Sequence, residues 1–361
     1  MNSRERFTAT FSFKKVDRFY RRELGFWPST LKRWLQEGLP ENWREVNFFN
    51  FDREAFDTTI LGWCDSPFSP PFEEVILKED AAKRIKRDVN GIILMEFKDS
   101  PDASMPLWIE HPVKNRDDWE KIKWRLKPSS KDRLTRMKRF AEKIEGGEGR
   151  DYPVIQGVAG GFLHMRNLFG LKGLFATMCK DPDLVHEIME NWLNINKFVL
   201  ERELELVDLD AVWIAEDICY KNGLFISPKS YREFLSPYYK ELTVFLKSYN
   251  VKVVYDSDGN LKQLIPLLIE WGCDGVEPFE VQAGNDIGEI RKQYGESLVI
   301  IGGIDKRVLA QDFNAIDREV KRVLSFFTDK HGYIPMIDHT IPPNVPLKNY
   351  MYYLEVLRKT E

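Results

Sequence analysis

The second half of the chain alternates short apolar runs with longer amphipathic segments. Between the runs, apolar positions recur at the three- and four-residue spacing of a helix that buries one face. This alternation predicts consecutive β-α units built around a parallel sheet. The apolar runs cover residues 154–158, 211–215, 251–255, 275–278, 298–302 and 333–337.

Residues 251–280 contain the clearest of these units. A β-branched run ends in Asp256 and Asp258, an amphipathic helix follows, and a second short run ends in Glu277 and Glu280. Carboxylates therefore follow two consecutive strands. Parallel α/β folds carry their chemistry at the carboxyl ends of the strands, so this unit is predicted to contribute to an active site.

The first 150 residues follow a less regular pattern. The spacing of apolar positions predicts a first strand over residues 18–24 and a helix over residues 30–37 with Trp34 and Leu35 facing inward. Further helices are predicted over residues 3–11, 115–126 and 130–144.

Residues 72–97 differ from the rest of the chain because their pattern is β-rich and partly alternating. Asn90 and Gly91 form a dipeptide that favours the tight turn of a β-hairpin. This segment is therefore predicted to be an antiparallel excursion outside the main sheet, placed as a flap over the mouth of the fold.

These elements together predict a (β/α)8 TIM barrel. Residues 46–51 are the candidate for the remaining strand. A single domain is expected over residues 1–361, in which residues 1–150 carry the N-terminal helices and the antiparallel excursion at about 72–97. A doubly wound open sheet is the rival fold, but the GxGxxG motif expected after its first strand is absent.

Composition narrows the classes of partner. The net charge is −4, and no basic run with interleaved aromatic residues is present, so nucleic acid is not expected as a partner. No apolar stretch reaches membrane-spanning length, and the first residues, MNSRERF, are charged where a signal peptide is apolar. The four cysteines form no CxxC pair, which favours a cytoplasmic protein without disulfides.

A barrel would gather the residues that follow its strands into one mouth, because parallel strands all end on the same face. Converging carboxylates raise one another's pKa or bind a cation. Helix capping is the alternative role for a single acid after a strand, and it is about equally favoured for Asp217 and Asp305. The candidate catalytic residues are Glu216, Asp217, Tyr255, Glu277 and His164.

Asp256, Asp258 and His339 are the candidate metal ligands. Side chains two apart on a strand point the same way, so Asp256 and Asp258 are expected to face one point, which His339 reaches from the last strand. Carboxylate and imidazole ligands suit zinc, manganese or iron. A metal-free network of acids hydrogen-bonded to His339 is the equally favoured alternative.

The chain resembles the uroporphyrinogen decarboxylase superfamily, which includes corrinoid-linked methyltransferases. The resemblance covers most of residues 150–358 and implies a (β/α)8 barrel with its site at the strand ends. The stretches that carry it are NSRERF at residues 2–7, DSDGN at 256–260, IEWGCDG at 269–275, GGID at 302–305 and DHTIPP at 338–343.

The chain departs from both known reactions of this superfamily. Decarboxylases carry an RQAGR-type segment that holds the substrate's propionates, whereas residues 21–27 read RRELGFW. Methyltransferases hold zinc with His-x-Cys and a later Cys, and the matching positions here are Asp256, Asp258 and His339. The residues expected to bind substrate are Glu23, Trp27, Gly303 and Asp305.

Three functions follow from these features. The first is methyl transfer in a corrinoid-dependent system, with a small-molecule substrate, a corrinoid protein as partner and a divalent metal as cofactor. The second is decarboxylation of a tetrapyrrole or another polycarboxylate, which an acidic mouth disfavours unless arginines neutralise it. The third is a non-catalytic barrel that binds a ligand. A homodimer is expected from analogy with the fold alone.

Overall fold

The structure is a computed structural model that describes residues 1–99 and 105–360. Its helices begin where the sequence offers caps: the Asn2 side chain accepts from the backbone of Glu5 at the first helix, and Asp181 caps a helix that starts with Pro182. The helices are α1 (Ser3–Phe11), α2 (Pro28–Gln36), α3 (Arg116–Ile122), α4 (Lys131–Ala141), α5 (Gly161–Lys180), α6 (Pro182–Leu204), α7 (Pro228–Phe234), α8 (Ser236–Ser248), α9 (Ile265–Trp271), α10 (Ile287–Tyr294), α11 (Phe313–Leu324) and α12 (Leu347–Thr360).

The strands fall into a parallel sheet, an antiparallel sheet and a small hairpin. They are β1 (Ala55–Leu61), β2 (Val75–Glu79), β3 (Lys83–Arg87), β4 (Ile93–Phe97), β5 (Leu107–Glu110), β6 (Val154–Ala159), β7 (Ala211–Ala215), β8 (Cys219–Tyr220), β9 (Gly223–Leu224), β10 (Lys252–Asp256), β11 (Gly275–Glu277), β12 (Val299–Ile301) and β13 (Tyr333–Ile334). Short 3-10 helices cover Lys123–Leu126, Gly147–Gly149, Val281–Ala283 and Lys306–Ala310.

The fold is TIM-barrel-like, as predicted, and seven parallel strands form within the described residues. Its parallel sheet has the strand order β1-β6-β7-β10-β11-β12-β13, and helices connect the successive strands from β6 onward. The register sets Asp256 beside Ala215 on one neighbour and beside Glu277 on the other. The ends of β7, β10 and β11 therefore lie side by side, as the sequence pattern predicted.

Two predictions about how the barrel closes were wrong. Residues 18–24 form no strand, although the backbone around them bridges the segment before β1 and the segment after β13: the Asp52 N–H donates to Arg21 O, and the Ile341 N–H donates to Gly25 O. Residues 46–51 form turns, and Val46 is exposed. Ala55–Leu61 is the strand that pairs with β6, and its β-rich sequence AFDTTIL was the overlooked signal.

The core has two parts, one inside the barrel and one between the barrel and its helices. The inner part contains side chains from α1 and alternate positions of the strands, including Ile155, Trp213, Val254 and Val299. The outer part is larger and contains the intervening strand residues and the helices. Trp34 belongs to it as predicted, but Leu35 is exposed, which corrects the prediction that it faces inward.

The antiparallel excursion is confirmed as a separate sheet with the order β2-β3-β4-β5. Gly91 lies in the β3–β4 turn with φ 79°, and its N–H donates to Asp88 O. The sheet contacts the barrel where Ser66 donates to Val89 O. Its role as a flap over the mouth stays a prediction.

Among the described helices, none combines the length and apolar character that a membrane span requires.

Candidate active site

Glu277 lies at the centre of a buried cluster inside the barrel mouth. Its Oε2 accepts from Arg22 Nη1 at 2.9 Å, and its Oε1 accepts from the indole N–H of Trp213. The Glu277 side chain is fully buried and Arg22 is 7% exposed. The Arg22 guanidinium also lies 4.6 Å from the centre of the Trp213 ring. Asp256 adjoins this group, and we call these four residues the deep cluster.

Asp256 holds a proton more strongly than Glu277 does. Burial raises the pKa of Asp256 well above its usual range, and the charges of Glu277, Asp217 and Asp258 raise it further. Burial also raises the pKa of Glu277, but Arg22 and Trp213 oppose that rise. Because Arg22 pairs directly with Glu277, Glu277 is the ionised member and Asp256 the carboxyl that keeps a proton.

A second cluster lies on the loops that follow β10, β11 and β13. One side-chain ligand atom from each of Asp258, Glu280 and His339 lies within 4.8 Å of the others. His339 Nε2 is 3.3 Å from Asp258 Oδ2, and Lys306 Nζ is 3.6 Å from Glu280 Oε1. The Asp258 side chain is 42% exposed, so this group meets solvent. We call Asp258, Glu280 and His339 the rim cluster.

The charge of Asp258 decides the protonation of His339. Burial lowers the pKa of His339, but the hydrogen bond and the charge of Asp258 outweigh it, so the pKa is raised overall. Lys306 contributes in the opposite direction. Without a metal ion, the imidazole is therefore stabilised as a cation beside the carboxylate.

The predicted metal set of Asp256, Asp258 and His339 comes together only in part: Asp258 and His339 converge with Glu280, and Asp256 lies outside this group. Strand β10 ends at Asp256, and the chain turns away through Gly259, whose φ is 87°. The two-residue periodicity of a strand no longer applies beyond Asp256. Asp256 thus stays inside the barrel while Asp258 lies on the rim.

Glu216 follows β7, and its side chain lies against the first residues of α5. Its carboxylate accepts from the backbone N–H groups of Phe162 and Leu163, each at 3.0 Å, and from the Tyr239 hydroxyl. Burial raises the pKa of Glu216 to about 7, while these donors lower it. A Cβ at Gly160 would lie 1.8 Å from Glu216 Oε2, so glycine is required there. Glu216 therefore holds the loop after β6 in place.

Asp217 lies on the mouth near both clusters. Its Oδ2 is 3.6 Å from Arg166 Nη2, and burial together with the charge of Asp258 raises its pKa. Its φ of 51° is unusual for a residue other than glycine. Its proximity to Asp256 and Asp258 agrees with the predicted convergence of acids.

Tyr255 and His164, two predicted catalytic residues, do not face the mouth. Tyr255 alternates with the inward-facing Val254 and packs against Tyr239 and Trp271 in the helical layer. His164 lies on α5 in the core, where burial and the charge of Arg133 lower its pKa to about 4. Both residues were assigned from their position in the sequence. The direction of each side chain depends on packing, which that position does not give.

Glu23 and Trp27, two of the predicted substrate-binding residues, lie at the closure of the barrel. Glu23 accepts from the Ile337 N–H and lines a small pocket together with Leu354 and Leu357 of α12, so Glu23 faces outward. Burial raises the pKa of Glu23 to about 8. The Trp27 N–H donates to Ile341 O, and the Trp27 side chain is half-buried.

Gly303 and Asp305 were predicted to bind substrate. In the structure, both make contacts within the protein that shape the local backbone. Gly303 has φ 82°, its N–H donates to Pro278 O, and a Cβ would lie 2.6 Å from Ile287. Asp305 caps the following 3-10 helix and binds the Arg307 guanidinium, which lowers the pKa of Asp305. The helix-capping alternative is the one that the geometry supports for Asp305.

Four residues of the site were not among the predicted site residues: Arg22, Trp213, Glu280 and Lys306. Arg22 and Glu280 had a signal, since Arg22 lies in the altered arginine segment and Glu280 follows a strand. The inward direction of Trp213 followed from the alternation in AVWIA. Lys306 had no comparable signal, because its partner Glu280 comes from another loop.

A cleft of about 890 Å³ lies at the opposite end of the barrel. Its lining includes Asp210 and Lys252, which precede or begin β7 and β10, together with Arg4 and Asp208. Barrel enzymes carry their sites at the carboxyl ends of the strands, so the size of this cleft does not make it the active site.

The chain forms a parallel barrel in which acidic side chains converge at the carboxyl ends of the strands. This arrangement is typical of barrel enzymes, whose active site lies at that end. The family model described as Uroporphyrinogen decarboxylase (URO-D) matches residues 95–360, and the chain belongs to this family. Both decarboxylases and methyltransferases occur among the proteins it resembles, which supports an enzyme.

Individual relatives match only part of the chain. A uroporphyrinogen decarboxylase from Legionella pneumophila (strain Corby) is 28% identical over 140 residues, which are 38% of this chain and 38% of that protein. One from Vesicomyosocius okutanii subsp. Calyptogena okutanii (strain HA) is 30% identical over 129 residues, 35% of this chain and 36% of that protein. The aligned part is thus little more than a third of these relatives.

A solved structure shares the fold over nearly the whole chain. It is a methyltransferase from Methanosarcina mazei, with a TM-score of 0.61, 16% sequence identity and coverage of 99% of both chains. At this identity the match supports the barrel fold, and not a shared reaction.

Proposed function

We propose that the protein is a metal-assisted methyltransferase in a corrinoid-dependent methyl-transfer system. The convergence of Asp258, Glu280 and His339 within 4.8 Å is the observation that carries this proposal. A site of this kind at the barrel mouth is open to a small substrate and to the face of a partner protein.

The rim cluster fits a divalent ion in its donor chemistry. Carboxylates and an imidazole are ligands for zinc, manganese or iron, and the absence of thiolates from Asp258, Glu280 and His339 distinguishes this set from a soft-ligand zinc site. When bound, such an ion supplies a Lewis acid that polarises a substrate or lowers the pKa of a bound acceptor. Ion binding would also displace the proton that Asp258 stabilises on His339.

The deep cluster would position the substrate and hold a proton. Desolvation and the charge of Glu277 raise the pKa of Asp256 well above its usual range, so Asp256 can donate a hydrogen bond or a proton to a leaving group. Arg22 fixes Glu277, and the Trp213 ring covers Arg22. These residues form a low-dielectric wall that excludes water from one side of the site.

Decarboxylation is the second candidate, because the relatives are uroporphyrinogen decarboxylases and cations lie in the mouth. However, Arg22 is already neutralised by Glu277 at 2.9 Å, and Arg166 lies 3.6 Å from Asp217. An anionic polycarboxylate would therefore meet carboxylates in the mouth, while the two arginines are already paired with them and are not available to the substrate. This charge pattern favours methyl transfer over decarboxylation.

Metal binding is tested by elemental analysis and zinc titration of protein purified without chelator. We expect one ion per chain and at least about 10-fold weaker binding in Asp258→Asn, Glu280→Gln and His339→Ala. His331→Ala, which changes a histidine away from the mouth, and Asp256→Asn are the controls and should keep the ion. Wild-type protein that takes up neither zinc, manganese nor iron would contradict the proposal.

The reaction is tested by following the absorbance of methylcobalamin during incubation with the protein and a panel of thiol, amine and phenol acceptors. We expect demethylation that requires both the protein and His339. Uroporphyrinogen III is incubated in parallel. Enzymatic release of carbon dioxide from it, without methylcobalamin turnover, would replace methyl transfer by decarboxylation.

A further inference from the structure

A small cavity lies outside the barrel, behind the mouth. It is situated between the helices α4, α5 and α6 and the ends of β1 and β6, and its volume is about 10 Å³. Its polar lining consists of Arg133, His164 and Asn196, which are 0%, 4% and 3% exposed. None of them belongs to the deep or the rim cluster. The cavity is therefore a separate internal site, with room for one water molecule or one ion of similar size.

Each of these three side chains has a buried polar atom that is not hydrogen-bonded. Within the described residues, Arg133 Nε, His164 Nε2 and Asn196 Oδ1 have no partner. The other two nitrogens of the Arg133 guanidinium are used, since Nη1 donates to Ile60 O at 3.3 Å and Nη2 donates to Pro67 O at 2.7 Å. Buried polar atoms are nearly always paired, so three unpaired atoms around one cavity favour a ligand there.

Arg133 is a buried cation that forms no ion pair with any carboxylate of the described residues. Asp132, the acid whose charge raises the pKa of Arg133, pairs with Arg136 instead. Burial, together with the charge of Arg136, lowers the pKa of Arg133 to about 10. Buried charges in proteins are normally compensated by an opposite charge. An anion beside this guanidinium would therefore stabilise the folded protein.

We propose that the cavity binds a chloride ion between Arg133 and His164. Chloride fits by size, whereas phosphate, sulfate and carboxylates are too large for this volume. The Arg133 Nε–H donates to the ion, and the neutral His164 ring donates from Nε2 in the tautomer that carries its proton there. A water molecule would also pair with Asn196 Oδ1. It would leave the Arg133 charge uncompensated, however, and a buried unpaired charge costs more than one unpaired acceptor.

Chloride bound at this site would stabilise the segment that follows β1. Arg133 holds both ends of that segment, through Ile60 O and Pro67 O. The segment carries Trp63, whose ring centre lies 5.4 Å from that of Phe56 and which packs against the core inside the barrel. Anion binding behind the mouth is thereby coupled to an aromatic side chain that faces the barrel interior.

Thermal unfolding of the full-length, chelator-treated protein tests the site, with sodium chloride compared against sodium gluconate at equal ionic strength. We expect about 0.3 M chloride to raise the Tm by about 2 °C or more, because a ligand that binds only the folded state stabilises it. Arg133→Met should lose this response. His164→Met should weaken chloride binding about 10-fold or more, whereas His164→Gln, which keeps a donor, should retain it. Arg136→Met removes the neighbouring guanidinium that is already paired with Asp132, and this matched control should respond like the wild type.

Bromide replaces chloride in a second test that does not depend on the variants. We expect anomalous diffraction from crystals soaked in sodium bromide to show a bromide peak in the cavity beside Arg133 Nε. Lack of that peak, or a wild-type Tm that is equal in chloride and gluconate, would overturn the proposal and leave water as the ligand. A chloride response that persists in Arg133→Met would overturn it as well, because the ion would then act elsewhere.

Discussion

The deep and rim clusters take acids from the same two segments but place them in different environments. Strand β10 and its loop supply Asp256 and Asp258, and β11 and its loop supply Glu277 and Glu280. The deep acids face the barrel interior, where Glu277 is fully buried, whereas Asp258 is 42% exposed. A step of two or three residues along the chain therefore separates a desolvated ion pair from a solvent-accessible group of ligand atoms.

The difference shows how burial decides what a carboxylate can do. A buried carboxylate must be neutralised by a partner or by a proton, and the deep cluster uses both, through Arg22 at Glu277 and a retained proton on Asp256. The rim carboxylates are partly exposed to water, and with His339 they place their ligand atoms within 4.8 Å of one another. We therefore expect changes in the deep cluster to affect mainly stability, and changes in the rim cluster to affect mainly metal binding.

The largest effect on stability is expected from Arg22→Met. This change leaves Glu277 buried without its cation, and we expect a loss of about 3–5 kcal/mol in the free energy of unfolding, measured by urea denaturation. Arg307→Met is the control, because it removes an exposed partner of Asp305 and should cost less than about 1 kcal/mol. Equal losses in the two variants would show that the deep pair is not desolvated.

A smaller effect is expected from Trp213→Phe. It removes the indole N–H that donates to the buried Glu277 carboxylate, and a hydrogen bond to a charged group contributes about 1.5–3 kcal/mol. The control is Trp192→Phe, whose N–H donates to the neutral Ala159 carbonyl, for which about 1 kcal/mol is expected. If Trp192→Phe is the more costly in urea denaturation, Glu277 is not ionised.

The smallest effect is expected at the rim and depends on pH. The folded-state pKa of His339 is raised, so its stabilisation by Asp258 is complete below the unfolded pKa of about 6.5 and disappears as pH rises through the folded pKa. In chelator-treated protein, His339→Gln should therefore destabilise more at pH ~6 than at pH ~9, by less than about 1 kcal/mol because the pair is partly exposed.

Salt distinguishes the two clusters in the same measurement. The effect of His339→Gln at low pH should diminish as sodium chloride is added, because ions screen an exposed pair, while the cost of Arg22→Met should hardly change. A pH dependence of opposite sign would mean that His339 is neutral in the folded protein.

The regular part of the fold could be predicted from short-range patterns. Each parallel strand from β6 onward begins and ends at most three residues from its predicted bounds, because an apolar run followed by an amphipathic helix is a local signal. The barrel closure could not be predicted in the same way. Residues 18–24 and 46–51 were assigned as strands from weak local patterns, and their hydrogen-bond partners decide their conformation.

The sequence predicted where the candidate site lies better than it predicted which residues form it. Asp258 and His339 come together as expected, which the barrel topology alone implied. Tyr255 does not face the mouth, because its neighbour Val254 takes the inward position. His164 does not face it either, because its ring is buried in the core on α5.

The amino-acid sequence by itself determined the β-α units, the residues that follow each strand and the resemblance to the family, since all of these depend on neighbours within a few positions. The tertiary structure decided which of those residues meet. Arg22 and Glu277 are 255 positions apart, and they pair because barrel closure brings the segment at residues 18–24 across from β11. Glu280 joins Asp258 and His339 because the chain leaves the strand after Asp256, where side-chain direction depends on the turn and no longer on alternation.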